Sequence, residues 1–247
     1  MGGLGIRPWD GGTFVISATG FEDGAPLPEE NTCEGKDFGA GISPELTWSG
    51  APISTVVYAL VFKDTTLISA GDSEHGYHWA AWNIPVEVNG IPRDLTAGET
   101  PAELLGGSQF RAGPPVEQPS FFGPCPSWNT FCSAAPRAND AYAFALYAFD
   151  SELTVPEPEE GRNYVDQLEE FFLAQAVAST VLTATSDAAP ISFPSCPALP
   201  DGGVDADAGI DAGPVTTDAG QADAAPEPDS GFGFDASFSF DASITLP

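Results

Sequence analysis

The chain has 247 residues, 42% of them hydrophobic and 11% aromatic, enough to bury a sizeable core. Its 36 acids against 7 lysines and arginines give a formal charge of −29. That balance excludes nucleic acid as a partner, because phosphate contacts need clustered Lys or Arg, and it makes an anionic membrane surface repulsive for the same reason. No stretch reaches the roughly 20 apolar residues that a membrane-spanning helix requires.

In chain order, residues 1–12 read as a poorly ordered leader with no charged n-region and apolar h-region of a signal peptide. From residue 13 the pattern is mostly β. "TFVISAT", "TVVYALVF", "HWAAWNIP" and "AYAFALYAF" are short β-branched and aromatic runs separated by Gly, Pro and Asp turns. "STVVYALVFKD" is almost continuously apolar, as a strand covered on both faces should be. "AYAFALYAFD" sets Tyr142, Phe144, Leu146 and Ala148 on one side and Ala143, Ala145, Tyr147 and Phe149 on the other, a pattern suited to a central strand.

One helix stands out late in the chain. "GRNYVDQLEEFFLAQAVA" places Tyr164, Leu168, Phe171 and Phe172 on a common face, and "STVLTAT" follows as a closing strand. The expected fold is mainly β: an antiparallel β-sandwich over residues 13–186 with one late α-helix and long loops. After about Asp187 the composition shifts. Residues 201–247 carry ten acids and no base, too little apolar content to offset the entropy of ordering. Residues 187–247 therefore read as a disordered, flexible acidic tail. It ends in a Phe-rich repeat, "FGFDASFSFDAS", that reads either as low-complexity sequence or as a strand able to dock on a partner.

Four cysteines, Cys33, Cys125, Cys132 and Cys196, match no metal knuckle or redox motif. They fit two disulfides in any of three connectivities, or buried thiols. The expected pairing is Cys125–Cys132, closing "CPSWNTFC", with Cys33–Cys196 fastening the end of the folded part. Disulfides would place the protein outside the cytoplasm, extracellular or periplasmic, with its start lost or its start codon misassigned. No metal or cofactor is expected. No GxSxG elbow, Walker loop or nucleophile–base pair occurs, so the chain does not read as an enzyme. Both histidines lie in "EHGYHWAAWNIP". His75 reads as loop surface, while His78, beside Trp79, reads as a core histidine or a pocket residue. Asp64 closes an apolar strand as a turn-former or a pocket acid.

Taken in order, several blocks resemble the phosphatidylethanolamine-binding protein family, in particular its bacterial Raf kinase inhibitor-like branch. They are "FEDGAPLPEENTCEG", "GISPELTWSGAP", "ALVFKDTT", "HWAAWNIP", "FFGPCPSW", "AYAFALYAFD" and "FFLAQAVAS". "GISPELTWSGAP" is the most specific, matching the family's Ser-Pro-x-Leu-x-Trp-x-x-x-Pro block. The resemblance spans roughly 170 residues and implies a β-sandwich with a small anion pocket at one end, taking phosphate-like groups such as a phosphoethanolamine head group. Carried onto this sequence, the pocket comprises Asp64, His78, the Gly123–Pro124 turn, Pro126 and Tyr142.

Two positions depart from the family pattern. The second loop acid is replaced by Thr65 or Thr66, and the His two residues before the tyrosine is Asp140. A further carboxylate works against a phosphate and favours the ammonium end of a zwitterion. The resemblance thus implies a non-catalytic module that binds a small polar or phosphorylated ligand, with the pocket altered by Asp140. The alternatives are a protein-interaction module of the protease- or kinase-inhibitor kind, and a secreted structural protein with a degenerate pocket.

Overall fold

The computed structural model describes residues 12–35, 41–112, 119–127 and 137–189. The leader before Gly12, the tail from residue 190 onward, Cys132 and Cys196 lie outside the described residues.

Among the described residues, eight strands form two antiparallel sheets. In chain order they are β1 (Val15–Ala18), β2 (Leu46–Ser49), β3 (Val57–Asp64), β4 (Tyr77–Pro85), β5 (Gly90–Ile91), β6 (Ser108–Arg111), β7 (Asp140–Phe149) and β8 (Ala178–Ser186). The smaller sheet has the order β1-β2-β5 and the larger one β6-β4-β3-β7-β8. Two short helices, α1 (Thr65–Ser69) and α2 (Ser73–Gly76), connect β3 to β4, and α3 (Tyr164–Gln175) precedes β8. The expected sandwich is therefore present, and α3 covers the outer face of the larger sheet as a third layer.

The alternation along β7 explains the layering. Tyr142, Phe144, Leu146 and Ala148 join Ile16, Leu46, Trp48, Phe62 and Trp79 in the core between the sheets. Ala145, Tyr147 and Phe149 join Val61, Leu168 and Phe172 beneath α3. Central strands buried on both faces are apolar along their covered length, as β3 and β7 are up to the charged residues at their site ends. Each fully buried Phe or Leu contributes about 1.5–3 kcal/mol, so these two strands supply much of the driving force.

On α3, Asn163 caps the first turn by accepting from the Val165 N–H at 2.9 Å. The buried face consists of Val165, Gln167, Leu168, Glu169 and Phe172, with Tyr164 and Phe171 only partly covered. Helical spacing locates the stripe to within one residue. It does not reveal that an acid belongs inside it. Glu169 is buried because Lys63, Tyr77 and Tyr147 all reach its carboxylate.

The disulfide differs from the expected pairing. Cys33 bonds Cys125 across a sequence separation of 92, with a Cα–Cα distance of 5.5 Å. Neither Cys125–Cys132 nor Cys33–Cys196 is then possible for those two residues. The cause is a long-range contact. The loop 119–127 folds back on the 3-10 turn Glu29–Asn31, and the Cys33 N–H donates to the Pro124 carbonyl at 3.1 Å. Spacing along the chain carries no trace of that approach. Downstream, the chain stays packed past β8, with Ala188 and Ala189 buried and the Ser127 N–H donating to the Ala188 carbonyl.

Candidate functional site

The residues singled out in the sequence converge at one end of the larger sheet, where β6, β4, β3 and β7 lie side by side. Asp64 is the last residue of β3 and pairs in register with Tyr142 on β7. Asp140 begins β7, half-buried, while Asp64, His78 and Tyr142 are buried.

His78 reaches this group through a break in the ladder. Phe62 pairs with Trp79 and Lys63 with Tyr77, so β4 spends two residues where β3 spends one, and His78 is the extra residue. Such a bulge re-aims a side chain. Tyr77 faces α3 and Trp79 faces the inter-sheet core, which strict alternation would forbid. The His78 ring accordingly lies among inter-sheet rings, with centroids 5.4 Å from Phe62, 5.8 Å edge-on to Tyr142 and 5.1 Å from Phe122.

Neither ring nitrogen of His78 makes a hydrogen bond, although both are buried. Burial drives its pKa down to about 4. The polar backbone of Phe122 near the ring opposes that shift, and the charge of Arg111 lowers it further. His78 is thus neutral at ordinary pH and holds one N–H donor and one acceptor, both unused.

Beside it the electrostatics reverse. Asp64 caps α1 by accepting from the Leu67 N–H at 2.9 Å, so it is both turn-former and part of this cluster. Burial raises its pKa against the lowering effects of the Leu67 N–H and the Tyr142 hydroxyl, and the charge of Asp140 raises it further. Asp140 is also raised, by burial. Tyr142 is pushed far above its usual range by burial and then by the Asp64 charge, so it stays a neutral hydroxyl. The threonines in place of the second loop acid clamp this corner. The Thr65 hydroxyl donates to the Ala141 carbonyl and the Thr66 hydroxyl accepts the Ala141 N–H, each at 2.9 Å.

Two further residues complete the row, and sequence reasoning missed both. Phe122 carries the His78 ring on one side, and the Arg111 guanidinium lies 4.5 Å from its centroid. Arg111 pairs in register with Trp79 at the end of β6. It is 7% exposed, and its Nε is buried without a hydrogen bond. The one available signal was that any arginine in so acidic a chain is rare. Across the strand ends β6 brings Arg111, β4 His78, β3 Asp64 and β7 Tyr142 with Asp140, and Phe122 lies against both Arg111 and His78.

The remaining expected residues frame this row rather than join it. Gly123 packs on the backbone of the 3-10 turn, where a Cβ would come within 2.6 Å of the Asn31 carbonyl oxygen, so no larger residue fits. Pro124 accepts from Cys33, and Pro126 lies half-buried one residue past the disulfide. His75 is exposed on α2 and contacts both oxygens of Asp72 at 3.0 Å, as its surface reading anticipated. Among the described residues no group of three or more His, Cys, Asp or Glu is arranged to hold a metal ion.

A UPF0098 protein of Mycobacterium tuberculosis is 35% identical over 137 residues, which cover 56% of this chain and 54% of that protein. The chain thus spans about half the length of the mycobacterial relatives it matches. A second M. tuberculosis protein, named as a lipoprotein, LppC, is 31% identical over 145 residues, covering 58% of this chain and 59% of its own. The crystal structure of Escherichia coli YbcL, described as a new member of the mammalian PEBP family, superposes with a TM-score of 0.50 at 22% identity. It covers 72% of this chain and 99% of that one, and so speaks for the fold. The family model for phosphatidylethanolamine-binding protein matches residues 17–187. With the ordered blocks, the sandwich and that match in agreement, this chain belongs to the phosphatidylethanolamine-binding protein family.

Proposed function

We propose that this chain is a non-catalytic binding protein that takes a small phosphate-like or zwitterionic head group at the strand ends around His78, acting outside the cytoplasm. The observation that carries the reading is His78, buried with both ring nitrogens unpartnered. An unmade hydrogen bond at a buried polar atom costs about 1–3 kcal/mol, which a ligand oxygen accepting from the imidazole N–H would recover. Because the ring is neutral, it contributes a directed dipole rather than a charge.

Tyr142 supplies a hydroxyl, and Asp64 with Asp140 supplies negative potential suited to the ammonium end of a zwitterion. The Cys33–Cys125 disulfide and the lipoprotein name of one relative support an oxidising, envelope or extracellular setting.

Calorimetric titration of phosphoethanolamine, phosphorylcholine and inorganic phosphate tests the reading. Wild type should bind at least one of them, and His78→Ala, checked for folding by circular dichroism, should bind it at least tenfold more weakly. Silence from both proteins toward all three ligands ends the proposal.

A further inference from the structure

Arg111 is the anomaly of this charge distribution. Lys63, Arg93, Arg137 and Arg162 each hold a carboxylate. Arg111 alone among the described lysines and arginines holds none, in a chain with 36 acids. It is also the most buried of these arginines, since the others pair at or near the surface. A buried charge is costly unless it is paired, and the ring of Phe122 offsets that cost only in part. Burial accordingly pulls its pKa below the usual arginine value, with no acid opposing the shift.

Its position gives the missing counter-charge a place. Arg111 flanks the same Phe122 ring as His78, and its charge is felt at the imidazole. Two buried side chains with unpartnered nitrogens, Arg111 and His78, therefore lie against one ring. The carboxylates come from β3 and β7, on the other side of β4 from Arg111, and neither Asp64 nor Asp140 draws its pKa shift from Arg111.

We infer that Arg111 is the anion-binding cation of this site, drawing the phosphate-like group to the β6–β4 side that it shares with His78, away from Asp140 on β7. This rests on the head-group reading above and assigns the electrostatic anchor that reading leaves open. A guanidinium suits the role because its planar fork matches two phosphate oxygens at once and stays charged when buried. In this chain the anchoring group enters from β6 rather than from the position two residues before Tyr142, where an acid now stands.

The test is calorimetry on wild type, Arg111→Gln and Arg111→Lys, each checked for thermal unfolding. The ligands are inorganic phosphate, soluble phosphoethanolamine and a short-chain phosphatidylethanolamine. Arg111→Gln should weaken every ligand that wild type binds by about 10- to 100-fold. Arg111→Lys should recover part of that loss, because it restores charge without the bidentate geometry. Binding of the lipid alone, lost in Arg111→Gln, identifies a head group on a lipid. Binding of the two soluble compounds, lost likewise, identifies a free phosphate compound. Arg111→Gln binding as tightly as wild type overturns the inference and leaves the head-group reading standing. A wild type that binds none of the three overturns both.

Discussion

Cys33 and Cys125 are joined by a disulfide whose Cα atoms stand 5.5 Å apart, although 92 positions separate them in the chain. The bond fastens the loop that carries Phe121, Phe122 and Gly123 to the 3-10 turn Glu29–Asn31, and so holds one wall of the site. In the chain-entropy view, a cross-link closing a loop this long stabilises by about 4.6 kcal/mol. The double variant Cys33→Ser, Cys125→Ser should therefore lose several kcal/mol in urea unfolding and weaken the packing of Phe122 on His78. An unchanged urea midpoint would rule out a stabilising role for this bond.

The depressed pKa of His78 has a sign that can be tested. In the unfolded chain the imidazole titrates near 6.5, and in the fold near about 4. Between those values the unfolded state binds a proton that the native state refuses, so stability falls as the pH drops from about 6.5 to about 4. At about 1.4 kcal/mol per unit, the loss attributable to His78 approaches about 3 kcal/mol. Asp64 and Asp140, whose folded pKa values are raised, act oppositely at the acidic end, because their protonation favours the fold. Urea unfolding at intervals across that range should show a decline in wild type that His78→Phe lacks. Parallel pH profiles for the two proteins contradict the assignment.

Beneath α3, Glu169 receives Lys63 Nζ on both oxygens at 2.6 Å, the Tyr77 hydroxyl at 2.9 Å and the Tyr147 hydroxyl at 2.5 Å. Removing the acid leaves an ammonium and two buried hydroxyls without their acceptor. Glu169→Leu should therefore cost about 3–5 kcal/mol. Glu169→Gln, which keeps an oxygen for one tyrosine, should cost less. Chemical denaturation ranks the two variants, and equal stability of wild type and Glu169→Leu would show that the network is not holding the helix to the sheet.

Asp140 places a second carboxylate beside Asp64 at the start of β7. Asp140→Asn removes a like charge from the anion's neighbourhood, so affinity for inorganic phosphate should rise by up to about tenfold. Affinity for phosphoethanolamine should rise less or fall, because the ammonium loses a partner. Equal changes for the two ligands, read by calorimetry, would mean that Asp140 does not sense the charge pattern of what binds.

Much of this molecule was legible before any coordinate. The small–large alternation of β7, the apolar run of β3 and the amphipathic α3 are local patterns, and each element must bury its apolar atoms wherever the rest of the chain lies. The ordered blocks placed the chain in its family and separated His78 from His75. Asp64, Tyr142 and His78, singled out through the resemblance, lie at one end of the sheet together with Asp140.

What the sequence could not determine arises between residues distant along the chain. The bulge that turns His78 toward Phe62 and Tyr142 is a mismatch of register between β3 and β4, invisible in either strand alone. The Cys33–Cys125 bond depends on a loop folding back over a turn some ninety positions earlier. Arg111 looked like one scarce cation among many acids, and only the packing of β6 beside β4 leaves it buried, unpaired and on the same ring as His78. Local hydrophobic pattern is set by which atoms must leave water. The charge a site presents is set by which groups the fold brings together and which it leaves unpaired, and that was decided by the tertiary structure.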